Sequence, residues 1–316
     1  MENVLLRNME DSSPETCLTA MRLSLLKFSQ IHSPKVLGSQ LPNAHETYLP
    51  LPLAWGLRDE VNVNDLFVTD FYAAHGTYDL ADGIHKPNVF VVYGGEGFGK
   101  TALVNYLMYQ WLIDEANDVK KIKDFDFALV VEVDKVGSFE VLPLLESKLV
   151  LPYLPSYKKF DDICNDLRYK KFLWLIDGFE RATGGTMKSI GKIIELFPLS
   201  KFVITSHWTQ VMIITDIMNL LQVKFVPLSL MPLTSNTWKH MVPKMMATKT
   251  YDPRYIDALS SMFISDKGSL IENMKRLRPK TLGECINSWL SLNFPFTAKA
   301  KVVPRGRGRS NRIGTN

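Results

Sequence analysis

The chain has 316 residues, 46% of them hydrophobic, which is enough to bury a core in one large or two modest domains. Its formal charge of +4 is unevenly spread: residues 297–316 hold Lys299, Lys301, Arg305, Arg307, Arg309 and Arg312 and no acid, leaving 31 basic against 33 acidic residues elsewhere. A generally basic protein is thereby excluded, no run of about 18 apolar residues offers a membrane span, and Cys17, Cys164 and Cys285 lack the spacing of a disulfide framework or zinc site.

No N-terminal stretch has the basic, apolar and small-residue pattern of a secretory signal, so the expected compartment is the reducing cytoplasm. Residues 1–45 read as an irregular segment, with breakers at Pro14, Pro34, Gly38 and Pro42 around one amphipathic stretch, Leu18 to Phe28. From residue 46 to 72 the pieces are brief, and Val61 to Val68 suggests a short lead-in. Asn88 to Tyr93 is a β-rich apolar run, and Ala102 to Trp111 reads as a helix with Leu103, Leu107 and Trp111 on one face. Phe125 to Val133 is a nearly continuous buried strand. Ser138 to Leu149 follows as a helix with an N-cap serine.

The later strands are Lys171 to Asp177, Lys201 to Ser206 and Val223 to Val226, with a helix from Gln210 to Leu221 before the last. Strands apolar on both faces and separated by helices predict βαβ units and a parallel sheet, hence an α/β nucleotide-binding core over residues 46–229. Residues 230–296 show helical periodicity and are expected to form a small helical subdomain. The basic tail at 297–316 has no apolar period and is expected to be disordered. Nucleic-acid contact, a nuclear address and a plain solvated tail all stay open for it.

Gly94-Gly95-Glu96-Gly97-Phe98-Gly99-Lys100-Thr101 carries the chemistry. It has the G-x-x-x-x-G-K-[ST] spacing of a phosphate loop, with a strand leading in and a helix leading out. Glycines let the backbone wrap a polyphosphate with several N–H groups inward, and the following helix aims its positive end at the same anion. Lys100 supplies a mobile charge for the β- and γ-phosphates, and the Thr101 hydroxyl is a ligand for Mg²⁺. A metal-using phosphate loop also needs an acid at the end of a neighbouring strand. Asp177 ends an apolar strand, and Glu180, three residues on, is the candidate to orient an attacking water.

Asp177-Gly178-Phe179-Glu180-Arg181, after four apolar residues, resembles the D-G-x-D-E Walker B element of NACHT domains, the nucleotide-binding module of signal-transduction NTPases that include the NOD-like receptors of innate immunity. The helix ending in Trp111, Asp124 to Asp126 and Lys201 to His207 are similar to successive elements of that module. The likeness covers residues 60–230 and is weaker to 296. It implies a P-loop NTPase sheet in the order 5-1-4-3-2, ATP or GTP with Mg²⁺ (ADP or GDP at rest), and nucleotide-controlled self-association or partner binding. Two positions depart from it. Arg181 stands where the family has a second acid, which predicts slow or absent hydrolysis, and His207 replaces the arginine of the T-S-R sensor as the residue facing the γ-phosphate. Pro279 answers either to a helix start or to the family's base-packing proline. A continuously turning-over ATPase or phosphotransferase, and a binding module with a vestigial site, remain the alternatives to a switch.

Overall fold

The computed structural model describes residues 51–55, 59–69, 88–112, 118–136, 167–247, 253–274 and 277–294, together with two short strands at 35–36 and 39–40. Those two, β1 (Lys35–Val36) and β2 (Ser39–Gln40), pair antiparallel within the segment expected to be irregular. The expected helices at 18–28 and 138–149, and the tail, lie outside the described residues.

The remaining strands form one sheet: β3 (Leu53–Trp55), β4 (Asp59–Val61), β5 (Val89–Tyr93), β6 (Phe127–Glu132), β7 (Phe172–Asp177), β8 (Lys201–Ser206) and β9 (Phe225–Leu230). Their spatial order is β4-β3-β9-β5-β8-β7-β6. The five strands from β9 to β6 run parallel. Numbered along the chain, those five stand in the order 5-1-4-3-2. β3 and β4 extend this sheet antiparallel beyond β9, so the stretch read as a brief lead-in is a hairpin that covers what would otherwise be an open edge.

The central strands are continuous apolar runs because both of their faces are covered. β5 and β7 bury every residue except Asp177, which is half-buried at the carboxyl end. On one face lies α1 (Lys100–Leu112), through Leu103, Leu107 and Trp111, the stripe expected from the sequence. Trp111 Nε1 donates to Phe125 O at 3.0 Å, which ties the end of α1 to the entry of β6. On the other face lie α3 (Gly184–Leu196) and α4 (Val211–Leu220), with Ile190, Ile193, Ile214 and Met218 against Val91, Trp174 and Ile204. α2 (Val133–Val136) is one short turn after β6, so the strand ends one residue earlier than the apolar run predicts.

Two further boundaries differ from the sequence reading. α4 closes with Gln222 at φ +53°, and Val223 N donates to Met218 O, so β9 starts at Phe225 and runs on to Leu230, one residue past the expected core limit. α5 (Ser235–Ala247), α6 (Ile256–Glu272) and α7 (Pro279–Asn293) follow, packed through Trp238, Phe263 and Trp289. These side chains belong to the same continuous hydrophobic cluster as Phe90, Val92 and α1, so the helices share the core on that face of the sheet. Among the described residues no helix is long and apolar enough to cross a membrane.

Candidate nucleotide-binding site

The loop from Gly94 to Gly99 leaves β5 at its carboxyl end and enters α1 at Lys100. Gly94 N donates to Ser206 O at 3.1 Å, pinning the loop's base to the neighbouring strand. Gly97 and Gly99 have φ of +75° and +96°, the region only glycine adopts without strain. A Cβ on Gly97 would lie 2.8 Å from Lys280 Cβ, and one on Gly99 would lie 2.7 Å from Leu51 Cδ1. The glycines are therefore demanded twice, by conformation and by close approach. Phe98 N donates to Gly95 O, whereas the N–H groups of Gly97, Gly99, Lys100 and Thr101 meet no acceptor among the described residues. Free N–H groups at the start of a helix are the donor set that an anion requires.

Lys100 curls back over this loop, its Nζ donating to Gly94 O at 2.8 Å and Gly95 O at 3.1 Å. Burial holds its ammonium below the usual lysine value, opposed by the fields of Glu180, Asp177 and Glu96. A polyanion would favour the charged form and offer the ammonium a better acceptor than two carbonyls.

Asp177 ends β7 beside the start of α1. Thr101 Oγ1 donates to its Oδ2 at 2.7 Å, and Thr205 Oγ1 donates to its Oδ1 at 2.5 Å. Thr101, from the loop helix, and Asp177, from β7, thus bring two hard oxygens together across 76 residues of sequence. No three His, Cys, Asp or Glu side chains converge as a metal cage among the described residues. A pair of oxygens suits Mg²⁺, which keeps its waters and takes its other ligands from phosphate, better than it suits a cation needing a full protein shell. Asp177→Asn is expected to flatten the Mg²⁺ dependence of nucleotide affinity while moving the ligand-free stability by less than about 1 kcal/mol. Titration with fluorescent nucleotide at varied Mg²⁺ checks this, and an unchanged metal dependence would make Asp177 a turn residue.

With the loop between β5 and α1, the acid on β7 and the parallel strands in the order 5-1-4-3-2, the architecture is decided. This is the P-loop NTPase fold. No family model matches the chain, and no curated protein is similar to it. Similar solved structures include the Aeropyrum pernix ORC2 protein in its ADPNP–ADP complexes (14% identity, 66% of this chain and 64% of that one, TM-score 0.38). Drosophila ORC bound to DNA matches at 14% identity over 66% of this chain and 57% of that one, with a TM-score of 0.40. Domain III of the Thermotoga maritima replication initiation protein DnaA matches at 16% identity over 64% of this chain and 85% of that one, TM-score 0.36. The match thus takes in less than two thirds of the length of either ORC chain.

The other predicted residues of this P-loop NTPase site divide by where their side chains go. Glu180 is held at the end of β8, its Oε2 accepting from His207 N at 3.1 Å. His207 gives the site its backbone, while its ring turns to Thr209 Oγ1 at 2.8 Å and lies edge-on to Trp208. Thr205, two residues earlier, is the β8 side chain that reaches Asp177, and it also accepts from Gly178 N. It belongs to the same sensor-like motif as His207, but the signal for its role is strand alternation, which aims Thr205 and its neighbour Ser206 at opposite faces. Phe98 buries its ring against Trp208, with the Arg278 guanidinium 5.4 Å from the ring centre. Its side chain packs the loop against these neighbours.

Glu96 points outward to Lys280, with Nζ to Oε1 at 2.9 Å, and this partner holds its carboxyl below the usual glutamate value. Arg278 Nη1 donates to Glu96 O at 3.2 Å, and Lys280 N donates to Gly97 O at 3.3 Å. The phosphate loop is thus gripped from outside by the start of α7. Pro279 serves as that helix start, its ring at 3.9 Å from where a Gly99 Cβ would be. Arg278 and Lys280 escaped the sequence reading because nothing local links them to a loop 182 and 184 residues earlier.

Proposed function

We propose that the chain binds ATP or GTP with Mg²⁺ and works as a NACHT-like nucleotide switch that hydrolyses slowly or not at all. The contact of Arg278 and Lys280 with the phosphate loop carries this reading. A loop that only bound nucleotide would need no outer grip. Because Lys280 N holds Gly97 O, and Gly97 is one of the residues with a free N–H, any change in loop shape on binding phosphate strains or relieves the hold of α7. The helical segment 230–296 then reports the loop's state to a protein partner or a second copy of the chain.

Within the site, the Gly97, Gly99, Lys100 and Thr101 N–H groups would hold phosphate oxygens, and Lys100 would supply positive charge. Thr101 and Asp177 would hold Mg²⁺, whose role is to neutralise phosphate charge. Glu180 is the carboxylate placed to orient a water, but its Oε2 is already engaged by His207 N, which leaves it less free to turn to a water. That bond favours slow turnover independently of Arg181.

Lys280→Glu places two acids side by side and is expected to speed release of bound fluorescent diphosphate by about tenfold, the order of one charge-assisted contact turned repulsive. Stopped-flow displacement measures it, and equal release from the two proteins would remove the coupling. Mass in solution should rise with the triphosphate and not with the diphosphate. Steady turnover above about 1 s⁻¹ without a partner would replace the switch by a catalytic ATPase.

A further inference from the structure

Gly178, at φ +79°, turns the chain sharply after Asp177 into a single 3-10 turn, Phe179–Arg181, anchored by the buried Phe179 ring. The next two side chains leave this turn for opposite neighbours of β7. Glu180 goes to the β8 side and His207 N, while Arg181 goes to the β6 side, where Nη1 donates to Asp134 Oδ2 at 2.5 Å. Asp134 lies just beyond Glu132, which is in register with Asp177. The cation that replaces an acid in this element is therefore drawn away from the phosphate loop, although it stays close enough to oppose the charge of Lys100.

We propose that Asp134 is a positioning residue that holds Arg181 off the terminal-phosphate position and so sets how strongly the site prefers a nucleoside triphosphate to a diphosphate. This rests on the nucleotide-binding reading above. The pair is exposed, with 61% and 46% of the two side chains open to solvent, so it contributes little to stability. A hold that weak neither supports the fold nor survives removal of its anion. Arg181 released from Asp134 is free to turn toward the phosphates, and its planar fork suits a terminal phosphate better than a lone carboxylate oxygen.

The test compares affinities for the non-hydrolysable β,γ-imido triphosphate and the diphosphate, using both adenine and guanine forms with Mg²⁺, by calorimetric titration of the full chain. Asp134→Asn is expected to raise the triphosphate-to-diphosphate affinity ratio about 2- to 5-fold, the range expected when one new exposed charge pair forms. In an Arg181→Ala background the same substitution should leave the ratio unchanged, and Asp134→Glu should keep it near wild type. An unchanged ratio in Asp134→Asn, or an equal rise with Arg181 absent, would overturn the inference, because mere loss of a nearby negative charge acts without Arg181. Melting curves of the ligand-free variants within a few degrees of wild type exclude a folding defect, and Asp134→Ser repeats the comparison should Asn fail this check. A wild type that binds neither nucleotide would overturn the nucleotide reading and this inference together, whereas binding with an unmoved ratio overturns the inference alone.

Discussion

Replacing Lys100 by alanine should abolish the thermal stabilisation that nucleotide confers. A ligand at one hundred times its dissociation constant stabilises the folded state by about 2.7 kcal/mol, which for a chain of this size raises the melting temperature by about 5 °C. The variant loses the one ammonium that the loop folds around. Its N–H cradle alone then competes with water for the phosphates, so at the same nucleotide and Mg²⁺ concentrations its melting temperature should not move. The ligand-free variant also loses two hydrogen bonds, to Gly94 O and Gly95 O. Removal of a partly desolvated charge offsets that loss, and its own melting point should lie within about 3 °C of wild type. Differential scanning fluorimetry of the two proteins with ATP and with GTP measures both quantities. Equal shifts in wild type and variant would end the assignment of the loop.

The largest effect on stability is expected at Trp174, in the middle of β7. Its ring is fully buried, stacks on Phe172 and Phe202 at centroid distances of 5.6 and 6.1 Å, and meets Phe197 at 5.6 Å. Trp174→Ala leaves a cavity among three aromatic rings and should cost about 3–5 kcal/mol, a large share of the roughly 5–15 kcal/mol that a domain possesses. Among the described residues its Nε1 has no hydrogen-bond partner, so part of the tryptophan's burial is unfavourable. Trp174→Phe removes that unpaired donor along with some volume, and the opposed terms should keep its cost below about 1.5 kcal/mol. Urea unfolding with unchanged m-values separates the two substitutions. A Trp174→Ala protein as stable as the phenylalanine variant would mean that α3 and β7 close over the gap.

The contrast between these two residues follows from what each depends on. Trp174 serves the layer formed by β7, β8 and α3, and its role could be seen in a strand apolar on both faces. Lys100 is proposed to serve an anion, a role that could be read in its spacing from four glycines. In both cases the information is local: a continuous apolar run, or a loop in which certain φ values admit only glycine.

Local information also placed β5, β7 and β8, the stripe of α1, and Asp177 at the end of its strand, because continuous apolar runs and glycine spacing are properties of neighbouring residues. Strands of three residues have no period to detect, so β3 exists through the hydrogen bonds that β9 offers it and β4 through those that β3 offers in turn. The end of α4 and the start of β9 were set by pairing with β5, which outweighs propensity at a boundary. The directions of Arg181 and Glu180, the hydroxyl of Thr205 on Asp177, and the grip of Arg278 and Lys280 on the phosphate loop join residues from 27 to 184 positions apart. The sequence by itself determined the residue types and spacing that a phosphate site needs. Which charges face that site, and which are drawn aside, was decided only when the sheet brought the ends of β6, β7 and β8 together and the shared core brought α7 to the loop.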